Sequence, residues 1–225
     1  MFVITDLIGQ KYHDEPVMTT EMLTSLKSSG WEIGSHTRTH PNLTELPDFQ
    51  VNAELRISKK RLEEILNTNI VSLAYPYGAY NNRIKSIAAK DYTLARTVSC
   101  YPPVRLNNLI PRDRLELKAM STYEHPTFLP LHIISNHLVT KIGHRKQKKN
   151  PEHRIINTSR KALEARFIRK WIRNLRKDQW LILCFHNLTT RSQTSYSINI
   201  KEFREIAKAI GQDADVTNLG DTVRL

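Results

Sequence analysis

Trp31-Glu32-Ile33-Gly34-Ser35-His36-Thr37-Arg38-Thr39-His40-Pro41 runs from a short apolar stretch straight into a polar cluster, with no helical segment between the two. That is how a buried parallel strand ends when its loop carries reactive groups. Upstream, Thr19 or Thr20 can cap a helix through Leu23 and Leu26 that stops at Gly30, and Phe2-Val3-Ile4-Thr5 is a β-branched strand candidate. Downstream, Val51, Leu55, Leu62 and Leu66 recur at helical spacing, and Val71-Ser72-Leu73-Ala74-Tyr75 is the next strand. The alternation continues with a helix over 82–90, a strand over 92–97, a weaker strand over 115–117 and a strong one over 180–185. A helix over 201–210 ended by Gly211 and a strand over 215–217 complete the pattern.

Strands alternating with helices predict an α/β fold with a parallel sheet covered by helices. About seven such units without a Gly-rich dinucleotide fingerprint favour a (β/α) barrel over a doubly wound sheet. No internal repeat or second domain is evident, so residues 1–225 read as one domain with a basic insertion and helix at about 124–177.

Of 225 residues, 40% are apolar and 25% charged, which suits a globular core and excludes a disordered chain. No run approaches the roughly 18 apolar residues of a membrane span, and the first residues do not form a secretion signal. Cys100 and Cys184 are too few for a disulfide framework and sit among apolar neighbours, where buried thiols are usual. The net charge of +12 is local, because residues 141–176 hold 13 Lys/Arg against Glu152 and Glu164. This stretch reads either as a solvated face or as a docking face for an anionic polymer or membrane surface. Without a nucleic-acid motif, charge alone does not make a specific nucleic-acid binder.

Three polar clusters follow predicted strands and would open on one face: His36 to Pro41, Tyr75-Pro76-Tyr77-Gly78, and His186-Asn187. His36 and His40, four apart, can meet one metal ion if the turn between them is tight, and equally suit two polar loop histidines. Tyr75-Pro76-Tyr77-Gly78 mixes fixed and permissive backbone, as in a loop that exposes an N–H to a ligand or in an ordinary structural turn. His186 can be a general acid near neutral pH or a histidine bonded to backbone.

In order, Ser35-His36-Thr37-Arg38-Thr39-His40-Pro41, then Leu73-Ala74-Tyr75-Pro76-Tyr77-Gly78, then Leu181-Ile182-Leu183-Cys184-Phe185-His186 resemble the polysaccharide deacetylases, also called the NodB-homology or carbohydrate esterase 4 group. The likeness implies a distorted (β/α) barrel and removal of acetyl groups from an N-acetylglucosamine-containing polysaccharide. It implies a divalent metal, with zinc the expected ion, held by His36 and His40, and His186 as the acid that protonates the departing amine. It further implies that the Tyr77 backbone N–H helps hold the oxyanion, with Tyr75 and Pro76 supporting that loop. Arg112 resembles the arginine that orients the catalytic aspartate, and Leu183 the apolar residue lining the acetyl pocket. Such proteins act at the cell envelope or outside the cell.

Two features depart from the pattern. Ala74 stands where many members carry arginine, and the family's Thr-Phe-Asp-Asp-Gly motif, source of the catalytic base and third metal ligand, has no match. The expectation is a barrel that lacks its first strand–helix unit, with Asp6 the nearby carboxylate that can substitute or merely cap a turn. An active deacetylase and an inactive relative binding polysaccharide through 141–176 both follow from this reading.

Overall fold

The structure is a computed structural model that describes residues 1–12, 15–99, 107–108, 113–121, 172–173, 175, 179–186, 188–190 and 198–221. Two compact units are present: Met1–Ser99 with Leu106–Ala119 and Thr217–Leu225, and Cys100–Arg105 with Met120–Val216.

In the first unit, strand β1 (Phe2–Val3) is followed by a hairpin of β2 (Lys11–Tyr12) and β3 (Glu15–Pro16), then helix α1 (Thr20–Ser28) and β4 (Gly34–Ser35). Helix α2 (Asp48–Leu66), β5 (Ser72–Ala74), α3 (Asn82–Ala88), β6 (Leu94–Ser99), β7 (Asn107–Asn108) and β8 (Leu117–Ser121) come next. β1, β4, β5 and β6 pair in parallel, and β8 follows β6 in the sheet. Each step along the chain is therefore also one step across the sheet in the same direction. A doubly wound sheet must reverse that order, whereas a barrel does not, so the α/β architecture is a curled portion of a (β/α) barrel.

Local chemistry explains the boundaries. Thr19 caps α1 by accepting from the Met22 amide, and Gly30, at φ +89°, ends the turn with its N–H on Lys27 and that of Trp31 on Leu26. Val51, Leu55, Ser58, Leu62 and Leu66 form the buried stripe of α2. The fully buried Leu55 and Leu62 contribute about 1.5–3 kcal/mol each. Gly34 is required by crowding, since a Cβ there would lie 2.6 Å from the Phe2 ring and against the Ser72 hydroxyl. β5 is buried on both faces, as a parallel strand between helices must be.

The second unit contains β9 (Gln179–Trp180), β10 (Ile182–Cys184), a parallel pair of β11 (Leu188–Thr189) and β12 (Ile198–Asn199), and helix α4 (Ile200–Asp213). Ile172 and Ile206 centre its apolar cluster, with Leu183 and Phe185 packed on it, and Cys184 is a buried thiol. Two expectations fail here. Gly211 does not end α4, which runs to Asp213 with the Ala214 amide on the Ile210 carbonyl; one helical glycine costs about 1 kcal/mol, which burial of Ile206 exceeds. Residues 215–217 form no strand, and Val216 is 77% exposed. The basic stretch 141–171 lies outside the described residues, as does Cys100. No described helix is long and apolar enough to cross a membrane.

One electrostatic feature of the first unit gives a measurable acid limb. The Glu116 carboxylate accepts bonds from Lys118 first, then Tyr80 and Lys85, which hold its pKa down to about 2 from 4.5. A carboxyl depressed by folding stabilises above its unfolded pKa and loses that contribution as pH falls toward the folded value. In urea titrations, wild type should therefore lose more stability between pH 4.5 and 2 than Glu116→Gln. Parallel pH profiles for the two proteins would contradict this.

Candidate functional site

Because β1, β4, β5 and β6 are parallel, their C-terminal ends share one edge, and the first two polar clusters of the sequence lie there. The β1–β4 pairing continues past the strands. His36 donates its amide to Val3, Thr5 to Thr37 and Asp6 to Arg38, so the polar loop begins on a fixed ladder. Thr37 and His40 then adopt positive φ of 67° and 68°. The Ser35 hydroxyl accepts the Thr37 amide, and the Thr37 hydroxyl accepts that of His40. These bonds turn the chain so that the rings of His36 and His40 meet edge to face, with centroids 4.7 Å apart.

One imidazole is oriented by a backbone bond, and the other is biased toward its neutral form. His36 Nδ1 lies 2.8 Å from the Ala74 carbonyl, which can only accept, so Nδ1 donates and the ring is held in one orientation. Burial, then the nearby Arg96 charge, pushes the His40 pKa below the ordinary histidine value. Neutral, oriented imidazoles are the form a divalent ion binds, and the donors suit zinc. Among the described residues no group of three His, Cys, Asp or Glu that could hold an ion is present. Asp6 is at the right end of β1, but its carboxylate is engaged by Arg38 at 2.9 Å and Arg61 at 3.3 Å.

The tyrosine–proline loop closes on the same pair. Pro76 is buried at the start of a 3-10 turn, and Tyr77 sits at φ 57°. Gly78, at φ 69°, packs so closely on β6 that a Cβ would lie 2.8 Å from the Val98 nitrogen. Tyr77 is 68% exposed and its ring meets His40 at 4.7 Å. Tyr75 goes the other way: fully buried, it stacks on Tyr80 and donates its hydroxyl to the Leu115 carbonyl. Burial raises its pKa, with Asp113 adding to the effect. Tyr75 thus anchors the loop from inside, and Tyr77 faces out beside the histidines.

In the second unit His186 is exposed after β10, with Nδ1 3.9 Å from Cys184 Sγ, and Leu183 is part of the apolar cluster. Arg112 lies outside the described residues. Arg96 of β6 is a site residue that the sequence reading passes over. It is 6% exposed, its guanidinium lies 5.3 Å from the Phe2 ring centroid, and among the described residues no carboxylate pairs with it. The available signal is a single charge inside the apolar run Leu94-Ala95-Arg96-Thr97-Val98.

Part of the chain is similar to known proteins. Residues 1–94 match the family model for polysaccharide deacetylase. YxkH of Bacillus subtilis, named as a polysaccharide deacetylase, is 31% identical over 90 residues, 40% of this chain and 31% of YxkH. Chitin deacetylase 1 of Cryptococcus neoformans is 36% identical over 84 residues, 37% of this chain and 17% of that protein. The match thus spans under a third of either curated relative. The Streptococcus pyogenes deacetylase PplD, solved with acetate, shares 27% identity over 52% of this chain and 50% of its own, with a TM-score of 0.45. The histidine loop and the tyrosine–proline turn both lie inside residues 1–94, the segment that matches the polysaccharide deacetylase family model.

Proposed function

We propose that the chain takes part in metal-dependent hydrolysis of N-acetyl groups on an N-acetylglucosamine-containing polysaccharide. The observation that carries this reading is the His36–His40 pair at the C-terminal edge of the sheet, with His36 oriented by the Ala74 carbonyl and His40 biased toward its neutral form by burial. A bound divalent ion, zinc by the donor set, would polarise the acetamide carbonyl and lower the pKa of a water.

The protein's own groups supply the rest. His36 Nε2 and His40 would hold the ion. The Tyr77 N–H is the proposed donor to oxygen as it gains negative charge, and the uncompensated Arg96 charge favours that charge nearby. His186 is the proposed acid returning a proton to the departing nitrogen. A third protein ligand and a carboxylate base remain to be supplied from outside the described group. Substrates of this kind belong to the cell envelope or the extracellular matrix.

The test is acetate release from N-acetylglucosamine oligomers by the Zn2+- or Co2+-loaded protein, with His36→Ala as the control. Release that the control lacks supports the reading. Absence of release, with retention on an anionic polymer that is lost when Lys146, Lys148, Lys149, Arg169 and Arg173 are neutralised, would replace it with a binding role for residues 141–176.

A further inference from the structure

Glu54, in the second turn of α2, reaches across to the histidine loop. One carboxylate oxygen accepts the amides of Arg38 and Thr39, both at 2.9 Å, and the other accepts the Thr39 hydroxyl at 2.8 Å. Arg38 and Thr39 lie between His36 and His40, and the residues flanking them, Thr37 and His40, both have positive φ. A loop of β-branched and bulky residues does not hold left-handed backbone unaided. Two adjacent N–H groups converging on one carboxylate oxygen, with a hydroxyl on the other, fix the peptide planes of the turn. α2 is itself anchored by its buried stripe, so the clamp is attached to a rigid element.

We infer that Glu54 is a positioning residue for the His36–His40 pair, clamping Arg38 and Thr39 in the loop between them so that both rings are presented together before any ion arrives. This rests on the reading of the pair as a metal site. Glu54 would touch neither ion nor substrate; its effect passes through the backbone of residues 38 and 39. Outer groups that orient ligands typically govern affinity by about 10–100-fold.

The test has one readout without metal and one with it. Amide hydrogen exchange at Arg38 and Thr39 is followed by NMR in chelator-treated protein, and Zn2+ affinity by competition with a chromophoric chelator. Glu54→Ala should lose about tenfold or more in protection at those two amides and bind Zn2+ about 10–100-fold more weakly. Glu54→Gln keeps an acceptor for the amides and should return both quantities to within about threefold of wild type. Glu64→Ala, on the exposed side of α2 where Glu64 pairs with Lys60, should change neither.

If Glu54→Ala keeps wild-type protection and affinity, or if Glu54→Gln fails to restore protection, the clamp is overturned. If protection falls and returns as expected while even wild type binds no Zn2+, the clamp stands and the metal reading of the histidine pair fails.

Discussion

Alanine at His36 or at His40 is expected to weaken Zn2+ binding by about a hundredfold or more, with the fold intact. A structural zinc site is worth about 10–16 kcal/mol over four ligands, so each contributes roughly a quarter, and 1.4 kcal/mol is a factor of ten. The two substitutions should differ in their side effects. His36→Ala also removes the bond to the Ala74 carbonyl, leaving that acceptor at the end of β5 to water, whereas among the described residues no such backbone bond holds the His40 ring. A small loss of stability, about 0.5–1.5 kcal/mol, is therefore expected for His36→Ala only. Circular dichroism melts without metal and chelator competition with it separate the two quantities. If both variants bind Zn2+ as wild type does, any ion this protein holds is elsewhere, and the proposed function loses its support.

Much of this edge of the sheet can be read from residue order. A strand such as Gly34–Ser35 ends where polarity begins, and the parallel topology then brings successive loops to one side, so His36, His40 and the Tyr77 turn share an edge by necessity. Finer assignments are not readable. Tyr75 and Tyr77 flank one proline, yet the turn sends the first into the core and the second to solvent. Glu54 lies 14 residues beyond His40, and only the packing of α2 against the first unit's sheet aligns its carboxylate with the loop. The expected strand at 215–217 fails for the opposite reason: an alternating tripeptide says nothing about whether a partner edge is available.

Arg96 is the residue at which stability and the proposed chemistry pull apart, and Arg96→Met is expected to make the protein more stable while reducing activity. A guanidinium that is 6% exposed has given up most of its hydration. Desolvating an ion costs several kcal/mol, and among the described residues no carboxylate offsets it. What it gains is the face of the Phe2 ring at 5.3 Å, worth about 0.5–2 kcal/mol, so the desolvation cost is the larger effect. Methionine keeps an unbranched stem though it is shorter than arginine, is itself apolar and packs well on an aromatic ring. The net change should be about 1–3 kcal/mol in favour of the folded state, read as a higher urea midpoint at unchanged slope. Arg96→Ala would instead leave a cavity beside Phe2 and lower the midpoint, which separates loss of charge from loss of volume. Acetate release should fall in both variants, because the positive charge beside His40 is gone in both. A buried charge kept at a cost to folding is expected where function needs it. If Arg96→Met instead lowers the midpoint, the guanidinium has a counter-charge outside the described residues, and its role is that of one half of a buried ion pair.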